Sequence, residues 1–182
     1  MWIALAVAGA LSGLLLLIAA IGACLPRDHR VTRSAVLHRS PAEVFAVIVD
    51  FAGAPAWRSD LRGVRMLAPG PDGRTRFVED SKHGKMLLEV EELRPPERLV
   101  TRIADDSLPF GGRWIIEVAP AGPGTRVTVT EAGFVRNPVF RFLSKLVFGH
   151  SATLEAYLVA LGRRFGEAVR PEAPAEPGKA VV

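Results

Sequence analysis

The chain has 182 residues, enough for one compact domain with an appendage but short for two full domains. Its 23 Lys and Arg against 19 Asp and Glu leave a formal charge of +4, too diffuse over this length for a nucleic-acid footprint. A single cysteine, Cys24, excludes an intramolecular disulfide framework and any cysteine-based zinc cluster.

Residues 1–26 carry no charged side chain, so the whole charge balance belongs to the part after Pro26. As a helix at about 1.5 Å per residue, Met1 to Leu25 would be about 37 Å long, against a hydrocarbon core of about 30 Å. The segment is therefore predicted to be an uncleaved transmembrane anchor. A cleaved signal peptide would have a basic n-region and a shorter apolar run. Ile21-Gly22-Ala23-Cys24 has the form of a lipoprotein processing box, the alternative reading, against which stands the same missing basic region. Arg27, Arg30, Arg33 and Arg39 follow the span, which predicts a single-pass inner-membrane protein with its domain in the cytoplasm. Gly9 and Gly13 form a G-x-x-x-G pair through which two such helices could pack as a weak homodimer.

Val31 to Leu37 is β-branched and reads as a first strand. Ser40-Pro41-Ala42-Glu43 has the form of a capping box with proline at the first helical position, so a helix is predicted there, its apolar face made by Val44, Phe45, Val47, Ile48 and Phe51. Gly53 and Pro55 break it into a second short turn ending near Trp57. Short alternating runs then follow, at 64–67, 75–80, 85–93, 99–103, 113–118 and 126–135, punctuated by Gly and Pro turns that include Gly111-Gly112. They predict a meander of antiparallel strands whose period-2 sets, Met86/Leu88/Val90, Trp114/Ile116/Val118 and Val127/Val129, share one buried face. Asn137-Pro138 opens a long helix to about Glu167, with a bend at Gly149 and an apolar stripe that includes Leu154, Leu158 and Leu161. From Pro171 onward proline and small residues leave nothing to pack. The predicted organisation is an anchor at 1–26, a domain at 27–167 and a disordered tail at 168–182.

The series formed by one strand, then S-P-A-E-V-F-A-V-I-V-D-F with a tryptophan a few residues on, then L-R-P-P-E-R-L in the meander, G-T-R-V-T-V-T-E and a long C-terminal helix resembles the SRPBCC superfamily. That superfamily includes the START-like lipid-transfer domains and the polyketide cyclase/dehydrase group. The resemblance covers about residues 30–167. It implies an α+β helix-grip fold, a curved antiparallel sheet wrapped around the C-terminal helix with an apolar cavity between them. It also implies a hydrophobic small-molecule or lipid partner. The cavity residues expected on this reading are Met86, Leu88, Val90, Trp114, Ile116, Val127, Val129, Leu154 and Leu158.

The four histidines, His29, His38, His83 and His150, lie on separate elements without ligand spacing, so no metal is predicted. No phosphate-binding or nucleophile-elbow motif occurs, and no cofactor is expected. The candidate acid/base groups are two carboxylates. Alternation places Glu131 on the face of Val127 and Val129, and Glu79 on the face of Phe77. Each has a structural reading, pairing with an arginine such as Arg102 or Arg113, beside the catalytic one. Trp57 and Trp114 are read as core or as cavity lining, and the basic, phenylalanine-rich stretch 138–148 as the grip helix's inner face or as a membrane-interface segment. The functional expectation is a membrane-tethered, non-catalytic binding module. Its rivals are a polyketide cyclase/dehydrase-type enzyme acting through Glu131 or Glu79, and a protein-interaction module.

Overall fold

A strand with one apolar face satisfies its backbone by pairing sideways and buries that face by packing on a helix. The computed structural model describes residues 2–82, 84–143 and 151–174, with 3–6 and 8 described by backbone alone. Helix α1 (Trp2–Cys24) leads into β1 (Asp28–Leu37), α2 (Pro41–Val49), a 3-10 turn (Ala54–Ala56) and β2 (Leu61–Met66). The meander continues through β3 (Arg76–Ser81), β4 (Gly84–Arg94), β5 (Arg98–Ile103), β6 (Phe110–Ala121) and β7 (Gly124–Val135), and α3 (Pro138–Leu143) and α4 (Ser151–Arg164) follow. The strands form one antiparallel seven-stranded sheet of order β1-β7-β6-β5-β4-β3-β2, so the first strand closes against the last.

The capping box expected before α2 forms. The Glu43 amide donates to Ser40 Oγ at 3.4 Å, and Glu43 Oε2 accepts from the Ser40 amide at 3.0 Å. Fixing the helix start turns Val44, Phe45 and Ile48 into the core. The β6/β7 register sets Ile116 against Val129 and Val118 against Val127. These four join Val90, Leu99, Phe77 and Leu37 from the sheet and Leu154, Tyr157, Leu158 and Leu161 from α4 in one core, with Leu88 and Trp114 packed against it. The alternating sets thus share the face that α4 covers, and Met86 lies half-buried at its margin.

Two expectations meet a different outcome. Gly111-Gly112 is not a turn but part of β6, opposite Phe134 and Gly133 of β7. A Cβ on Gly111 would come within 2.6 Å of the Phe134 ring, so glycine serves close approach there. The chain after α4 does not leave the domain at 168. The Gly166 amide bonds to the Arg163 carbonyl at 3.0 Å and the Glu167 amide to the Gly162 carbonyl at 2.9 Å, with Gly166 at φ +74°, a glycine-capped helix end that reverses the chain. Val169 then packs on the core, and Glu172 pairs with Ser34 through bonds of 2.8 and 2.9 Å, covering part of the free edge of β1.

The long helix is described as α3 and α4, and the expected bend at Gly149 lies outside the described residues. Helix α1 forms over 23 residues, and among the described residues no helix is long and apolar enough to cross a membrane.

Candidate functional site

The inner face of the sheet is apolar along most of its length, but one row across it is not. Val129 and Glu131 are two residues apart on β7, so both point inward, and Glu131 lies opposite Trp114 of β6. Glu131 Oε2 accepts from the indole Nε1 of Trp114 at 3.2 Å, and Oε1 lies 2.9 Å from His29 Nε2 of β1. Arg102 and Arg113, considered as partners for Glu131, are not engaged with it. Their residue parity places them on the outer face, where they bond to Glu89 and Glu91.

The Trp114 ring meets the edge of Tyr157 on α4 at 5.5 Å between centroids, and Trp57, just after the 3-10 turn, meets the same tyrosine at 5.4 Å. The Arg58 guanidinium lies 5.6 Å from the centre of the Tyr157 ring, donates to Glu79 Oε1 at 2.7 Å and reaches Asp60 Oδ2 at 2.8 Å. His29, Glu131, Trp114, Tyr157, Arg58 and Glu79 therefore form a continuous string of contacts across the interior. The two candidate carboxylates sit toward its opposite ends, Glu131 beside the terminal His29 and Glu79 at the far end, in separate clusters joined by aromatic rings rather than facing one another.

Electrostatics differ along the string. Burial pushes the Glu79 carboxyl up from its ordinary value of 4.5, and the attraction of Arg58 only partly offsets this. Burial also pushes the Tyr157 phenol up, so it stays neutral and keeps its proton. Tyr157 is 7% exposed, and among the described residues its hydroxyl has no hydrogen-bond partner, an unused donor beside two tryptophans. Among the described residues no group of three or more His, Cys, Asp or Glu is placed to hold a metal ion.

Of the nine residues expected to line a cavity, Val90, Ile116, Val127, Val129, Leu154 and Leu158 are buried floor. Leu88, Trp114 and Met86 are only partly buried, and Glu79 lies opposite Met86 on β3. Arg58 and Tyr157 carry much of the site's polar chemistry and are not among the residues expected from the pattern. Tyr157 falls three residues after Leu154, on the inward stripe, so helical periodicity reaches it. Arg58 lies in a loop with no periodic signal.

The raised Glu79 carboxyl gives a pH test. Its proton is held more tightly in the folded protein than in the unfolded chain, so its favourable contribution is complete below about pH 4.5 and is lost as pH rises through the folded value. The stability difference between wild type and Glu79→Gln, followed by urea unfolding of the full chain, should therefore move against wild type as pH is raised from that point. A difference that is flat, or that moves toward wild type, would contradict the burial of this carboxyl.

A sheet gripping a C-terminal helix, with polar groups strung through an otherwise apolar interior, defines an α+β domain of the helix-grip class. Residues 28–165 match the family model described as polyketide cyclase / dehydrase and lipid transport, and the chain belongs to that family. Among solved structures, a START superfamily protein from Mycobacterium smegmatis is similar at 22% identity and a TM-score of 0.60, over 75% of this chain and 96% of that one. A protein from Thermus thermophilus is similar at 23% identity and 0.58, over 75% and 95%. Truncated norcoclaurine synthase from Thalictrum flavum shares 11% identity at 0.60, over 77% and 94%. These likenesses show the fold. No curated protein matches the chain.

Proposed function

We propose that this protein is a membrane-anchored binding module that takes a hydrophobic small molecule, a lipid, quinone or polyketide-like compound, between the inner face of the sheet and the C-terminal helix, without transforming it. The observation that carries the reading is the incomplete cover of the inner face. Met86, Leu88 and Trp114 remain part-exposed beside a fully buried floor, and the Tyr157 ring, beside Trp114, carries a hydroxyl with no hydrogen-bond partner among the described residues. Apolar walls with a few convergent polar groups are the usual make-up of a small-molecule site. Membership of a cyclase and lipid-transport family supports the ligand class.

The anchor belongs to the same reading. α1 carries no charge, and Leu11, Leu14, Leu15, Leu16 and Leu17 are exposed on it. Gly9 and Gly13 meet nothing within 4 Å, which leaves that face open to a second copy. The arginines that follow α1 support a domain on the cytoplasmic side. Native mass spectrometry of the full chain, released gently from its own membrane, tests the reading. A specific co-purifying apolar mass is expected, and repeated preparations with none would contradict it.

An enzymatic reading is favoured by one specific feature, the raised Glu79 carboxyl beside Arg58 and the protonated Tyr157, together with Glu131 at the other end of the string. Glu131→Gln separates the two functions, because it keeps the shape and removes the titratable proton. A binding module retains its affinity for a neutral lipid probe in this variant. An enzyme using Glu131 as acid or base would lose about 100-fold or more in rate.

A further inference from the structure

The last carbonyls of a helix have no partner within it and carry the negative end of the helix dipole. At the end of α1 they are met by a single side chain from a distant part of the sequence. Arg141 of α3, only 6% exposed, donates Nη1 to the carbonyls of Gly22 and Leu25, each at 3.0 Å. Its Nη2 reaches the Arg136 carbonyl at 3.0 Å and its Nε the Val135 carbonyl at 3.1 Å. A guanidinium is stable out of water only when its donors are engaged, and this one divides them between α1 and the β7–α3 turn. Gly22 completes the joint, since a Cβ there would lie 1.9 Å from the Pro138 carbonyl oxygen. Helix α1 is thus clamped to α3 rather than hung on a flexible tether.

The clamp fixes what lies beside the helix end. Phe140 is 41% exposed on α3, and its ring stacks on Phe110 of β6 at 5.8 Å. Phe110 also lines an open groove of about 570 Å3 with Phe134, Arg30, Arg113, Arg136 and Asp105, where β1 leaves the foot of α1. The Arg136 guanidinium lies 5.1 Å from the centre of the Phe134 ring and donates to the Asp106 carbonyl, leaving its charge unpaired by any carboxylate among the described residues. Arg30 is exposed on the same strand end. Asp28, Asp105 and Asp106 share the region, so net charge does not make this surface; the arrangement does. Aromatic rings flanked by guanidinium groups at the foot of an apolar helix suit the headgroup layer of a bilayer, where rings sit at the boundary and cations meet phosphate.

We propose that the Arg141 joint makes α1, α3 and the start of β6 one rigid unit, which seats the Phe110–Phe140 patch in the headgroup layer of the bilayer that α1 enters. The proposal rests on the anchor reading above and adds to it a fixed orientation of the domain on the membrane surface.

The test uses the full chain in phosphatidylcholine–phosphatidylglycerol vesicles. An environment-sensitive nitrobenzoxadiazole label is placed either on Cys24, the chain's one cysteine and exposed, or on Phe140→Cys in a Cys24→Ser background. Doxyl-labelled lipids quench at a chosen depth. The expected result is quenching of both labels, with the label at 140 quenched most by doxyl groups near the headgroups. Arg141→Gln should abolish quenching at 140 while leaving that at Cys24 intact. Gly22→Val, which breaks the joint from the α1 side, should do the same and serves if Arg141→Gln disturbs folding. An unquenched label at 140 beside a quenched Cys24 would overturn the proposal and leave the anchor standing. Quenching at 140 that survives both variants would overturn the joint's role. An unquenched Cys24 would overturn the anchor reading and this proposal with it.

Discussion

Leu158→Ala should lower the unfolding free energy by about 2–5 kcal/mol, the usual cost of a buried leucine truncation with the cavity it leaves. Leu158 is 1% exposed on α4, in the same core as Val90, Ile116, Val127 and Val129. The grip of the sheet on this helix has few other sources, since Leu154 and Leu161 are the other fully buried leucines of α4. At about 2–4 °C per kcal/mol for a chain of this size, the melting temperature should fall by roughly 4–20 °C. Leu93→Ala is the control. That leucine is 49% exposed near the end of β4, and its loss should stay within about 0.5 kcal/mol. A Leu158→Ala variant that unfolds with the Leu93→Ala control would mean that α4 does not close the core.

Much of the fold is legible in the sequence because its signals are local. The capping box at Ser40 and Glu43 acts within one helical turn, and alternation in β6 and β7 sorts Ile116, Val118, Val127 and Val129 inward without knowledge of their partners. The same alternation places Glu131 among them. What stays illegible depends on distant pairing. Arg58 meets Glu79 across 21 positions and Arg141 meets Gly22 across 119, and no local period marks either arginine. The glycine pair at 111 and 112 has the composition of a turn, yet Gly111 answers to the Phe134 ring and Gly112 to the Ala132–Gly133 backbone across the sheet. The segment after α4 has the composition of a tail, yet Gly166 turns it back and Ser34 offers a free strand edge to Glu172. Composition reports what a segment can bury by itself, and these residues are ordered by what another segment offers them.

The candidate site follows the same division. Its floor is periodic and can be read from the pattern, whereas its polar string depends on how a loop, two strands and a helix meet. Tyr157 sits at that meeting point, between Trp57 and Trp114 and over Arg58.

That a hydrophobic molecule occupies this space is the central claim, and Leu88→Trp tests it most directly. Leu88 is part-buried on β4, opposite Phe77 on one side and Ile103 on the other, so a larger ring there extends into the space a ligand would fill. The measurement is titration of the full chain with a solvatochromic fatty-acid probe, wild type against Leu88→Trp, with the melting temperature of each recorded alongside. Saturable binding to wild type is expected, with at least about tenfold weaker binding to the variant, a difference of about 1.4 kcal/mol, and little change in melting temperature. The contradicting result is a wild type that takes up no probe while Leu88→Trp loses about 1–3 kcal/mol of stability, the mark of a core already full.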